Sequence, residues 1–192
     1  MDQANALRNL IQTKATVNQK AQLIILTSDK DKAAIINGLT DYFSKENKQV
    51  AVLDKENDDL TNNFTRFEQM CDIIILDASK GIEKQMINLV KASDGVVVIT
   101  APEPNSMVSS YGLIKMSKEE LTESNFGIII NRVRDEREGG EVFERLQTTA
   151  DEFLNVKLNY LGWLPQETYG LFAKSVAEIG MRILIAGKDI RI

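Results

Sequence analysis

The chain has 192 residues, of which 43% are apolar and 27% charged, and its formal net charge is −5. That length suits one domain with a sizeable core, and an acidic balance without a strongly basic run gives no support to non-specific nucleic-acid binding. There is no histidine and Cys71 is the only cysteine, so imidazole acid–base chemistry, His metal sites, zinc clusters and an internal disulfide are excluded.

Residues 1–21 lack the apolar core of a signal peptide and divide into a leader helix and a polar tether. Asp2 is placed to cap a helix, and Ala4, Leu7 and Ile11 fall on one face that suits a groove. Gln3 and Arg8 offer polar reach beside that face. Composition alone favours an ordinary helix packed on its own domain. The stretch Thr13–Gln22 reads as the tether to a second unit, 22–192.

That unit opens with a strand-like run at Gln22–Thr27 and a helical pattern over Ala33–Phe43. The link between them, Ser28-Asp29-Lys30-Asp31-Lys32, has the frame of a phosphate-binding loop without its glycines, since the first glycine is Gly38. Such a loop needs glycines so that successive N–H groups can face the phosphates, and a Ser or Thr after its Lys to hold Mg²⁺. Ala33 stands at that hydroxyl position, and Asp29 and Asp31 add negative charge where phosphates would sit.

Further buried-strand patterns follow at Val50–Leu53, Ile73–Leu76, Val96–Ile99, Ile128–Ile130 and Tyr160–Leu164. Helical patterns alternate with them at Ile82–Lys91, Met107–Leu121, Glu141–Phe153 and Tyr169–Ile185. In the third of these, Val142, Phe143, Leu146, Ala150 and Phe153 mark one face. The alternation predicts a doubly wound, mostly parallel α/β sheet. Ligands of such folds lie beyond the carboxyl ends of the strands, which nominates Asp54, Asp77, Thr100 and Asn131. Asp77 has Gly81 four residues on, the spacing of an Mg²⁺-ordering Asp and a γ-phosphate-approaching Gly, although a strand ending in a helix-capping Asp reads the same way. Cys71 reads as a packed small residue. In the last helix Phe172, Val176, Ile179 and Ile183 share a face near Lys174, Arg182, Lys188 and Arg191. Packing on the sheet suits that face better than a membrane surface, because the basic excess is small.

Several blocks in order carry a family resemblance. Ser93–Lys115 (SDGVVVITAPEPNSMVSSYGLIK) resembles a strand followed by T-x-P-E-P and a Y-x-L-I-K helix. Ile130-Asn131-Arg132-Val133 resembles an I-N-R-V element, and Leu161–Pro165 with Glu167 an L-G-x-I-P-x-D element. Together they resemble the MinD/ParA-type P-loop ATPases, in particular the FlhG (YlxH, FleN) flagellar regulators. Asp2–Arg8, DQANALR, matches each fixed position of the D-Q-A-x-x-L-R motif with which FlhG-like proteins engage and stimulate the SRP-type GTPase FlhF. The resemblance implies partner binding through Asp2, Gln3, Ala4, Leu7 and Arg8. It also implies a vestigial nucleotide site of Lys30, Lys32, Asp54, Asp77, Gly81 and Asn131, with Asn131 at the adenine. Lys32 takes the phosphate-binding position, and Lys30 that of the signature lysine reaching across a dimer.

The chain departs from the family pattern at the glycine-free loop, at Asp54-Lys55-Glu56 in place of D-x-D, and in a shortened switch segment, Lys55–Cys71. These departures give the expectation of a pseudo-ATPase that regulates flagellar biogenesis, needs no cofactor and binds ATP with Mg²⁺ at most weakly. Other expected partners are flagellar basal-body or regulatory proteins, with no nucleic acid and no metal. The expected location is the cytoplasm, at the pole or the inner face of the membrane through the C-terminal helix. The competing expectations are an active ATPase that switches between monomer and dimer, and a ParA- or MinD-type positioning protein for DNA or division septa.

Overall fold

Runs of Ile, Val and Leu without polar alternation form strands covered on both faces, and six such strands build one sheet. They are β1 (Gln22–Leu26), β2 (Val50–Asp54), β3 (Ile73–Asp77), β4 (Val96–Thr100), β5 (Phe126–Val133) and β6 (Leu158–Pro165). In this computed structural model the described residues are 21–26, 31–54, 70–77, 96–119, 126–166 and 170–189, without the side chains of 54 and 186–189. The strand order is β2-β3-β1-β4-β5-β6, and every neighbouring pair is parallel. Four described helices accompany it: α1 (Lys32–Lys45), α2 (Pro104–Lys118), α3 (Glu136–Leu154) and α4 (Leu171–Asp189).

Alternate residues of each strand supply opposite faces of the sheet. Leu23, Ile25, Ile74, Leu76, Val96 and Val98 join Leu113 of α2 and Val142 and Leu146 of α3 in one buried cluster. Ile24, Leu26, Ile73, Ile75, Val97 and Ile99 join Leu39 and Phe43 of α1 and Val176 and Ile179 of α4 in the other. Cys71 is partly buried against the first cluster, in keeping with a packing role.

The predicted fold class holds, and two details are corrected. Helix α3 begins at Glu136 and not at Glu141, because the Asp135 carboxylate accepts from the Glu138 N–H at 2.9 Å and Glu138 Oε2 accepts from the Arg134 N–H at 2.7 Å. This reciprocal cap starts the helix ahead of Gly139 and Gly140. Phe153 is 68% exposed, and Leu154 takes the inward place four residues after Ala150. In α4 the face Phe172, Val176, Ile179 and Ile183 is buried against the sheet, so membrane contact through it is not supported. No helix among the described residues is long and apolar enough to cross a membrane. The segment Ile82–Lys91 lies outside the described residues.

Candidate functional site

The carboxyl ends of β3, β1, β4 and β5 lie side by side, and the chain places its titratable and polar residues along that edge. Lys32 is the first residue of α1, directly after the link that leaves β1, and its Nζ lies 2.6 Å from Asp77 Oδ2. Asp77 is the last residue of β3 and is nearly buried, in register beside Asp54 at the end of β2. Lys32, nominated from the family resemblance, and Asp77, nominated as a strand-end residue, are thus brought together. A short, charge-assisted bond of this kind fixes both groups.

At the end of β4, Thr100 is fully buried, and its Oγ1 lies 3.3 Å from Ser106 Oγ. The same Ser106 oxygen accepts from the Ala101 N–H at 3.2 Å, which ties the first turn of α2 to the strand. One strand over, Asn131 is fully buried, and neither its Oδ1 nor its Nδ2 has a hydrogen-bond partner among the described residues. A buried amide without partners is costly, by about 1–3 kcal/mol, so its retention marks a place where a ligand with both donor and acceptor edges could pair. If no ligand is bound, Asn131→Leu is expected to raise stability by about 1–3 kcal/mol in urea unfolding. A loss of stability of that size would show that the amide has partners in the folded chain.

Arg132 follows in the left-handed region, with φ of 62°. Its guanidinium donates from Nη1 to Asp31 Oδ2 at 2.7 Å and pairs through Nε with Glu103 Oε1 at 3.3 Å. The hydrogen bond to Asp31, more than any other influence, raises the Arg132 pKa above its ordinary value. The Arg132, Asp31 and Glu103 grouping was not assigned a role from the sequence. Thr100 and Ile130 are cross-strand neighbours, which brings Glu103, three residues past β4, near Arg132 at the end of β5.

Asp31 itself has φ of 57° and stands at the cap of α1, its carbonyl accepting from the Ile35 N–H at 3.0 Å. That is a backbone conformation glycine adopts freely and Asp tolerates. The next residue after Lys32 is exposed Ala33, which brings no hydroxyl to the first turn. Of the other sequence-nominated residues, Asp2, Gln3, Ala4, Leu7, Arg8, Lys30 and Gly81 lie outside the described residues. Asp54 contributes its backbone position alone. Among the described residues no cluster of three or more His, Cys, Asp or Glu could hold a metal ion.

A parallel sheet in the order 2-3-1-4-5-6, with a Lys opening α1 and an Asp closing β3, has the fold of the MinD/ParA-type P-loop NTPases. The solved structure of the Pyrococcus furiosus cell division ATPase MinD agrees with it at a TM-score of 0.61 and 12% identity, covering 86% of this chain and 98% of that one. Two curated relatives narrow the class. The antiactivator FleN of Pseudomonas aeruginosa is 28% identical over 108 residues, 56% of this chain. The flagellum site-determining protein YlxH of Helicobacter pylori is 31% identical over 120 residues, 62% of this chain. The matched segments span 39% and 40% of those relatives' own lengths. No protein-family model matches the chain. The chain is thus similar to the FlhG-type (FleN/YlxH) members of the MinD/ParA family.

Proposed function

We propose that this chain regulates flagellar number or placement by binding an FlhF-type GTPase through Asp2–Arg8 and stimulating its GTP hydrolysis, while its own body turns over no ATP. The observation that carries the partner reading is DQANALR at residues 2–8, in a chain whose curated relatives are an antiactivator and a flagellum site-determining protein. Its test is FlhF GTPase activity with and without the chain. A saturating amount of chain that leaves the GTPase rate unchanged sinks the proposal.

The pseudo-ATPase part rests on the phosphate end of the site. Where Mg²⁺ would take a hydroxyl the chain has Ala33, and the residue before the helix is Asp31, whose carboxylate holds Arg132. These residues do not fit a magnesium-bound triphosphate. Phosphate release from ATP is therefore expected to stay at the buffer rate, and light scattering should give one mass with and without ATP·Mg²⁺. Turnover abolished by Lys32→Ala, or a doubled mass on adding nucleotide, would contradict this.

A second reading, a live ATPase acting as a nucleotide-dependent positioning switch, is favoured by one observation, the partnerless Asn131 amide. A base could pair there even where a triphosphate is poorly held. The same phosphate-release assay decides between the two.

A further inference from the structure

An Asp at a helix cap ordinarily turns its carboxylate onto the N–H groups of the first turn. Asp31 does not: no side-chain cap bond is made at α1, and the carboxylate reaches instead to Arg132, 101 residues along the chain. Both residues hold left-handed backbone conformations, φ 57° and 62°, while making this contact. The pair is mostly shielded from solvent, the Arg132 and Asp31 side chains being 21% and 24% exposed.

Guanidinium is the side chain best shaped to take a phosphate on two N–H groups, and a helix N-terminus is the backbone element best disposed to do so. Here the guanidinium is taken up by the carboxylate of the residue that precedes α1. Glu103 adds a second at 3.3 Å from Arg132, and Lys32 faces Asp77. Two cations along this edge thus meet three carboxylates, Asp31, Asp77 and Glu103. An incoming polyphosphate would have to displace the chain's own anions from each.

We propose that the Asp31–Arg132 ion pair is an autoinhibitory contact, in which a carboxylate of the chain holds the guanidinium beside the start of α1 against a polyphosphate ligand. This rests on the reading that the body turns over no ATP and gives it a cause: exclusion by an internal anion as well as loss of glycines. The contact joins the residue before α1 to the end of β5.

The test is calorimetric titration of the full chain with inorganic pyrophosphate at low ionic strength. Asp31→Asn removes the charge and keeps a residue that tolerates the left-handed backbone; Asp31→Gly does the same with no side chain, should the first variant unfold. Each is expected to bind pyrophosphate at least about ten-fold more tightly than the wild type, because a charge-assisted competitor has been removed. Asp31→Asn with Arg132→Gln should lose that gain, since the released cation is gone. Affinity unchanged in folded Asp31→Asn and Asp31→Gly overturns the contact alone. ATP turnover by the wild-type chain overturns both the contact and the reading beneath it.

Discussion

A chain carrying Gln3→Ala and Arg8→Ala is expected to bind an FlhF-type GTPase about as tightly as the wild type and to lose most of its stimulation of GTP hydrolysis. On the proposed reading, a helical leader would put Ala4, Leu7 and Ile11 on one docking face, with Gln3 and Arg8 as the polar groups beside it. A guanidinium that meets charge developing on a transferring phosphoryl group accelerates the step without tightening the ground-state complex. The stimulated rate should therefore fall by on the order of ten-fold or more while the dissociation constant stays within about two-fold. Leu7→Ala should behave in the opposite way. It removes a buried apolar contact of about 2 kcal/mol, equivalent to about 30-fold in affinity, and leaves the rate at saturation intact. A peptide of residues 1–20 should reproduce both patterns, with modest affinity because it orders on binding. Full stimulation by the Gln3→Ala/Arg8→Ala chain would assign the leader to packing on its own domain.

The strands were legible because parallel strands covered on both faces need unbroken runs of Ile, Val and Leu, and the six runs from Leu23–Leu26 to Tyr160–Leu164 all lie within strands. Their ends were less legible. The period of buried residues does not show where pairing stops, so β5 extends from Phe126 to Val133 around the Ile128–Ile130 run, with register irregularities against β6. Helix α3 was read short because Gly139 and Gly140 lower helix propensity. The structure shows why at least one glycine is needed: a Cβ on Gly139 would lie 2.6 Å from Tyr160 Oη and 2.9 Å from Trp163 Cβ. Phe153 was misplaced by one helical step, since both 153 and 154 can follow Ala150 on an apolar stripe and only packing chooses.

At the site, Asp77 could be nominated because it ends a strand, a local property of the sequence, and Lys32 because it precedes the first helical pattern where the family resemblance puts a lysine. The pairing of Asp31 with Arg132 could not, because it depends on how far apart two links sit in space and on two left-handed backbones. The orphaned state of Asn131 was likewise invisible: a sequence gives an amide its position and says nothing of its partners. Asp31 was read as adding negative charge where phosphates would sit; in the structure its carboxylate is paired with a cation of the chain, Arg132.

Gly180→Ala is expected to destabilise the chain, against the usual rule that Ala strengthens a helix interior by about 1 kcal/mol over Gly. Helix α4 lies on α1 so closely that a Cβ at Gly180 would come within 2.3 Å of Tyr42 Cδ1, 2.6 Å of Cε1 and 2.9 Å of Cγ. Those are ring atoms and cannot bend away singly. The ring is set edge-on to Phe43, centroids 5.6 Å apart at 73°, and Phe43 is fully buried. Moving Tyr42 therefore disturbs the core beneath it or parts the two helices. Overpacking of this kind costs about 1–3 kcal/mol, which outweighs the propensity gain and should lower Tm by several degrees, at about 2–4 °C per kcal/mol for a domain of this size. In a Tyr42→Ala background the clash is gone and the helix preference is left, so the same substitution should become stabilising. That reversal of sign separates close packing from a general effect of the substitution. It bears on function because α1 carries Asp31 and Lys32 at its start, and α4 is the helix that a surface-binding reading would release. Gly180→Ala that stabilises the chain with Tyr42 in place would mean that α4 does not rest on α1, and would return its apolar face to the candidates for membrane or partner contact.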